Sequence, residues 1–110
     1  MLFRSRRRSL RIHAKITVHF PFQGEYKRAD TKDVSMHGLF FESANMLPVG
    51  SVLVMDVELP KSINPYPIPI VVKVVRAIEL PSKSFDIGVE IVRVDAEDLA
   101  KIINYALSQK

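Results

Sequence analysis

Apolar and polar residues alternate along much of the chain, and strict alternation is typical of a strand with one buried face. The clearest cases are residues 14–20, 51–59 and 85–92. The apolar positions that these segments place on one side are Ile16, Val18, Phe20, Leu53, Met55, Val57, Leu59, Phe85, Ile87, Val89 and Ile91. The pattern therefore predicts at least three strands that pack on one core.

Further strands are predicted between turn signals. Residues 26–34 form a polar, edge-like strand, and the next strand occupies residues 39–42, after Gly38. Residues 70–78 are rich in β-branched side chains, which strands favour. Proline and glycine separate these segments, as in turns. Gly88 lies inside a predicted strand and indicates a bulge or a close approach of another group to the backbone.

The last segment changes its period from two to that of a helix. Asp95 is a good N-cap, and Glu97 and Asp98 follow in the first turn, where the helix dipole favours negative charge. A helix over residues 95–108 would place one apolar face on the core. The residues on that face are Leu99, Ile102, Ile103, Ala106 and Leu107.

Several short strands and one terminal helix predict a mainly β fold, either a sandwich or a barrel. A barrel removes its exposed strand edges, and the helix can cover an open end. With 110 residues the chain has the size of one domain.

The composition is that of a globular protein, with 47% hydrophobic and 25% charged residues. The absence of cysteine excludes disulfides and thiolate metal sites. No apolar run approaches the ~20 residues that span a bilayer, and no apolar stretch follows the basic N-terminus as in a signal peptide. We therefore expect a cytoplasmic protein without membrane insertion.

The net charge of +4 is concentrated at the N-terminus. Five arginines are found there, namely Arg4, Arg6, Arg7, Arg8 and Arg11, and no lysine accompanies them. Guanidinium groups bind phosphate oxygens and the guanine edge in a bidentate manner and stack on bases. Residues 1–12 are thus predicted to form a flexible ligand-binding arm, and residues 13–110 the β-barrel with its helix.

Catalytic and metal sites are poorly supported. Asp33, Ser35 and His37 share one face of a strand, but neighbouring members would stand about 6–7 Å apart, beyond the reach of a nucleophile and its base. His13 and His19 would lie about 20 Å apart, and no cluster has the spacing of metal ligands. We expect no enzymatic activity and no metal.

Two motifs resemble those of the PilZ domain family. Arg7 and Arg11 have the form RxxxR, and residues 33–38, Asp-Val-Ser-Met-His-Gly, have the form DxSxxG. Their order and spacing are similar to those of the family, as are the strand around Gly88-Val89 and the terminal helix. The resemblance covers essentially the whole chain.

The resemblance implies a six-stranded antiparallel PilZ-type β-barrel with a C-terminal α-helix that binds the bacterial second messenger cyclic di-GMP and needs no cofactor. It implies that Arg7 and Arg11 grip guanine and phosphate, and that Asp33, Ser35 and Gly38 form the second wall. A carboxylate at Asp33 suits the guanine N–H groups. The full predicted site comprises Arg6, Arg7, Arg8, Arg11, Asp33, Ser35 and Gly38.

The ligand is expected to bind as an intercalated pair, because two cyclic di-GMP molecules carry four negative charges and one RxxxR pair has only two guanidinium groups. In the family an arginine directly before RxxxR is a plausible selector for the pair, and Arg6 occupies that place. The alternative is that Arg4, Arg6 and Arg8 are solvated and only steer the ligand.

Other readings of the same residues stay open. Asp33, Ser35 and Gly38 could form an Asx or serine turn that closes a hairpin. A degenerate PilZ adaptor that binds a protein and no nucleotide is the main alternative function. A nucleic-acid-binding barrel would interleave aromatic and basic residues, and here only Phe3 accompanies the arginines, which makes a nucleic acid an unlikely partner. A receptor without output machinery must act through a downstream protein, which the sequence does not identify.

Overall fold

A computed structural model describes residues 10–109. Arg4, Arg6, Arg7 and Arg8, and with them most of the predicted arm, lie outside this range. The elements in chain order are β1 (Ile12–His13), β2 (Thr17–Phe22), β3 (Glu25–Val34), β4 (Gly38–Ser43), β5 (Val52–Glu58), β6 (Ile68–Glu79), β7 (Phe85–Arg93) and α1 (Ala96–Ser108).

The strands form an antiparallel barrel. Hydrogen-bonded neighbours follow the order β3-β2-β5-β6-β7-β4, and an additional pairing of β3 with β4 closes the ring. The short strand β1 pairs with β3 outside this ring. A mainly β fold with a six-stranded antiparallel barrel and a C-terminal helix is therefore confirmed.

The long strand β3 was predicted as an edge, and this is wrong, because β3 pairs with β1, β2 and β4. Its buried residues are Ala29, Thr31 and, at its end, Val34. Ala29 is small, Thr31 is polar, and Val34 comes three residues after Thr31, so the apolar alternation that marks the other strands is missing here. The polar sequence of β3 reflects a small inner face rather than an exposed edge.

The strand predicted over residues 14–20 begins only at Thr17, and residues 14–16 connect β1 to β2. Across this connection the Thr31 hydroxyl accepts from the Ile16 N–H at 2.9 Å and donates to the Ala14 carbonyl at 2.7 Å. A side chain thus replaces the backbone partner between β1 and β2. Ile12, expected at the end of the arm, is 4% exposed and belongs to the strand-paired part of the chain.

The barrel interior holds the alternating apolar residues predicted from the sequence. Val18, Phe20, Met55, Val57 and Ile87 are at most 1% exposed. The rings of Phe20 and Phe41 meet in the centre with their centroids 5.6 Å apart. The core that holds the strands together is therefore a single apolar cluster.

Helix α1 begins as predicted, with the Asp95 side chain accepting from the N–H of Glu97. It packs through Ile102 and Ala106, which are 2% and 0% exposed. The prediction that Leu107 also packs is wrong, because its exposure is 45%. Leu107 lies about 140° from Ile102 around the helix, at the margin of the apolar stripe. No helix within residues 10–109 is long and apolar enough to cross a membrane.

The helix end is tied to the start of the barrel. The Gln109 side chain donates to the Lys15 carbonyl at 2.9 Å and accepts from the Lys15 N–H at 3.0 Å. The backbone N–H and carbonyl of Lys15 are thus both hydrogen-bonded to the side-chain amide of Gln109. The link fixes the connection between β1 and β2.

Docking of the helix can be tested with two truncations of similar chemistry. Ile102→Ala should lower the free energy of unfolding by about 2–5 kcal/mol, because it leaves a cavity under the helix. Leu107→Ala, a matched control on the exposed side, should change it by less than about 1 kcal/mol. Urea denaturation measures both. Equal effects of the two substitutions would contradict the docking described here.

Candidate functional site

The position of Asp33 follows from an irregularity in β3. The pairing with β4 shifts between Thr31 opposite Phe41 and Asp33 opposite Phe40, so that Lys32 is an extra residue. The shift allows Thr31 to face the core while Asp33, two residues later, lies on the outer surface beside β1. Its side chain remains 14% exposed.

Arg11 makes two contacts on this surface. Its Nη2 atom lies 3.0 Å from Oδ2 of Asp33, and its guanidinium carbon lies 4.4 Å from the centroid of the Phe40 ring. A guanidinium over an aromatic face at this distance is a cation–π contact. The last arginine of RxxxR and the first residue of DxSxxG are therefore in direct contact.

The second carboxylate oxygen of Asp33 has no hydrogen-bond partner among the described residues, although it is buried. Nδ1 of His13 lies 2.5 Å from this Oδ1 atom, so the two groups can form an ion pair when His13 is protonated, but the contact does not meet the geometry of a hydrogen bond. The His13 side chain is 91% exposed, so little packing holds it over the carboxylate. A ligand donor that approaches Oδ1 would therefore displace the exposed His13 ring from it.

Ser35 shapes the loop between β3 and β4. Its Oγ atom accepts from the backbone N–H groups of His37 and Gly38 at 3.1 and 3.2 Å, and its own N–H donates to the Gly38 carbonyl at 2.9 Å. This is the serine turn that the sequence left open as an alternative. These bonds to backbone amides are those of a turn and differ from a bond between a nucleophile and a base.

Packing within the protein itself requires glycine at position 38. A Cβ atom at this position would lie 2.3 Å from the carbonyl oxygen of Val89 in β7. The preceding residue, His37, accepts the N–H of Ile91 through its carbonyl at 2.8 Å. Gly38 thus lets β4 start directly against β7, and a role toward a ligand stays a prediction.

Phe40 lies over a second glycine. A Cβ atom on Gly88 would come within 2.7 Å of Cε1 of Phe40 and 3.3 Å of Cβ of Arg76. The close approach predicted at Gly88 is therefore confirmed. The absence of a side chain at Gly88 leaves room for the Phe40 ring, which in turn supports Arg11.

A charged cluster borders the Phe40 ring. Asp86, on β7, lies 3.1 Å from Nζ of Lys32 and 3.7 Å from Nη2 of Arg76. Lys32 and Arg76 are about half exposed. Three cationic groups, from Arg11, Lys32 and Arg76, therefore lie on this surface, each within 4.0 Å of a carboxylate oxygen.

We call the surface of Arg11, Asp33 and Phe40, with Lys32 and Arg76 at its border, the arginine face. The structure brings Arg11 and Asp33 into contact and places Ser35 and Gly38 in the adjoining loop. Arg6, Arg7 and Arg8 lie outside the described residues. Among residues 10–109 no group of His, Asp and Glu side chains has the arrangement of a metal site.

The sequence reasoning missed Phe40, His13, Lys32 and Arg76. In an extended strand every second side chain lies on the same face, so His13 would share a face with Arg11, and Phe40 with Gly38. Each could therefore have been placed on the outer surface. Their proximity depends on the strand pairing, which local patterns do not specify.

The fold is shared with several solved structures. MotI/DgrA of Bacillus subtilis, an inhibitor of motility, superposes with a TM-score of 0.75 at 23% identity, over 94% of this chain and 50% of that one. The PilZ domain of YcgR from Escherichia coli, solved with c-di-GMP, gives 0.70 at 14% identity, over 94% and 93%. The MrkH–c-di-GMP complex of K. pneumonia gives 0.69 at 20% identity, over 93% and 51%.

The present chain thus spans about half the length of MotI and of MrkH. No curated protein matches its sequence. The family model of the PilZ domain, in contrast, matches residues 5–108, a region that includes both motifs and every element from β1 to α1. The chain belongs to the PilZ domain family.

Proposed function

We propose that this domain is a receptor for cyclic di-GMP without enzymatic activity, and that it passes the signal to a downstream protein. The observation that carries the proposal is the contact of Arg11 with Asp33 at 3.0 Å, which joins the two motifs on one surface. The solved complexes of the YcgR PilZ domain and of MrkH with c-di-GMP support the same ligand.

The chemistry of the arginine face suits the two parts of this ligand. Asp33 can accept from the N1–H and the exocyclic amine of guanine once the His13 ring has left its Oδ1 atom. Arg11 can bind a phosphate or the O6/N7 edge of guanine. Arg7 would act in the same way, and Arg6 and Arg8 would add charge for further phosphates.

Ligand binding would replace the ion pair of Arg11 and Asp33 with bonds to the ligand, so that neither charged group is left unpaired. In the structure Arg11 and Asp33 neutralise each other, and Arg11 is 57% exposed. Because water reaches the Arg11 guanidinium, its attraction to Asp33 is partly screened. A ligand phosphate can therefore take over Arg11 while guanine N–H groups take over Asp33, with each protein group still paired. The pair holds both residues near their binding positions beforehand, which reduces the entropy lost on binding.

Removing either partner should weaken cyclic di-GMP binding. Arg11→Ala and Asp33→Asn each remove a charge-assisted bond, which typically contributes about 1.5–3 kcal/mol, or roughly ten- to a hundredfold in affinity. Isothermal titration calorimetry measures the change, with Arg28→Ala, an exposed arginine of β3, as the matched control. A wild-type protein that binds no cyclic di-GMP at high micromolar ligand would overturn the receptor and leave the protein adaptor.

Phe40→Ala tests the support for Arg11 without altering any charge. The cation–π contact is worth about 0.5–2 kcal/mol, so affinity should fall by roughly two- to thirtyfold. Leu39 is unsuitable as a control because it is in the core, whereas Tyr66→Ala removes an exposed aromatic ring at a distance. Equal affinity of Phe40→Ala and wild type would show that the ring does not position Arg11 for binding.

The ligand should bind as an intercalated pair. Titration of the wild type is then expected to saturate near two cyclic di-GMP molecules per chain. Arg6→Ala should lower this ratio toward one, because fewer guanidinium groups remain to neutralise four phosphate charges. A wild-type ratio of one that Arg6→Ala leaves unchanged would mean that the extra arginines only steer the ligand.

A further inference from the structure

The guanidinium of Arg11 is a flat group that contacts two partners at once. Its Nη2 atom donates to Oδ2 of Asp33 at 3.0 Å, and its central carbon lies 4.4 Å from the centroid of the Phe40 ring. Asp33 and Phe40 are directly opposite each other in the pairing of β3 with β4. A planar group with N–H donors can therefore bind the carboxylate through its edge and the ring through its face.

The Phe40 ring is packed against the neighbouring strand. Its Cδ1 and Cε1 atoms lie over Gly88 of β7, where a Cβ atom would come within 3.1 and 2.7 Å of them. Arg76 pairs with Gly88 from β6, and its Cβ atom lies 3.3 Å from the same point. The ring thus lies along the outside of the sheet, with the Arg11 guanidinium over it.

Guanine has the two features that Arg11 uses here. Its N1–H and exocyclic amine belong to a planar N–C–N unit that resembles a guanidinium, and both donate from one edge. Its π-face can stack on an aromatic side chain, as every base can. Opposed residues of an antiparallel pair have their Cβ atoms about 4.5–5.5 Å apart. A guanine edge on Asp33 therefore brings the base over Phe40.

We propose that a guanine of cyclic di-GMP takes the place that the Arg11 guanidinium holds in the structure, with its edge on Asp33 and its face on Phe40. This inference rests on the proposed function and adds a stacking role for Phe40. Arg11 is then a placeholder for the base, and it moves outward to a phosphate when the ligand binds. His13 leaves the Asp33 carboxylate at the same time.

The charge distribution of the ring determines which part of the ligand replaces Arg11. An aromatic face is the negative part of the ring's quadrupole, so it attracts a cation and repels a phosphate. If Arg11 left Phe40 and nothing replaced it, the apolar face of the ring would be exposed to water, which is unfavourable. A stacked base covers that face and pairs with Asp33 in the same position.

A role of Phe40 that is limited to holding Arg11 leads to a different bound state. Arg11 would then remain over the ring while it binds the ligand, and no base would approach Phe40. The two arrangements differ in the group that lies on the ring in the complex. A measurement on the ring itself therefore separates them.

NMR of the full chain with saturating cyclic di-GMP identifies that group. We expect nuclear Overhauser effects between the Phe40 ring protons and protons of guanine, and an upfield shift of the ring protons caused by the ring current of the base. Phe22, a half-buried ring at the end of β2, is the matched control and should show neither. Bound ligand without these effects at Phe40 would overturn the inference.

Affinities in two backgrounds test the same point independently. Phe40→Leu keeps an apolar side chain but removes the π-face, and should weaken binding about fivefold or more, whereas Tyr66→Leu, at an exposed ring elsewhere, should not. Combined with Arg11→Ala, Phe40→Leu should weaken binding again, because the base and not Arg11 lies on the ring. An effect that disappears in the Arg11→Ala background would limit Phe40 to the support of Arg11 and refute the stacking.

Failure of this inference is distinct from failure of the receptor. A wild-type protein that binds cyclic di-GMP without the ring effects at Phe40 is a receptor in which Arg11 is not a placeholder. A wild-type protein that binds no cyclic di-GMP in the same titration refutes both.

Discussion

Closure of the barrel depends on β3, which hydrogen-bonds to three different strands along its ten residues. It can do so because Lys32 is an extra residue in the pairing with β4 and because Thr31 satisfies the backbone of Ala14 and Ile16 where β1 separates from β2. Buried backbone groups left unpaired at that point would each be costly. One hydroxyl thus satisfies the backbone of Ala14 and Ile16 at the point where the inserted residue lets β3 pair with β4.

The arginine face is a consequence of the same irregularity. The extra residue places Asp33 on the outer surface, and pairing of β1 with β3 puts His13 opposite it. Arg11 directly precedes β1 and contacts both Asp33 and Phe40. Asp33 and Phe40, two of the groups proposed to bind the ligand, are therefore on strands that close the barrel. Rigid strands are better supports for a binding site than mobile loops.

Local patterns were sufficient for the strands with bulky inward residues, such as those around Met55 and Ile87, and for the helix start at Asp95. They failed where the inner face is small, as at Thr31, because alternation then has no apolar signal to detect. The motifs predicted Arg11 and Asp33 as one site from family resemblance, and the structure places them in contact. Phe40 was missed because its role depends on the adjacent strand, and strand register is a long-range property that a local pattern does not contain.

The central claim is that the arginine face binds cyclic di-GMP, and amide NMR with increasing ligand tests it most directly. We expect the largest shift changes at Arg11, Asp33 and Phe40, while the amides around Val54 on β5, three strands from β4 in the ring, remain unchanged. Saturating cyclic di-GMP that leaves the amides of the arginine face unchanged, or that shifts only residues elsewhere on the barrel, would contradict the account.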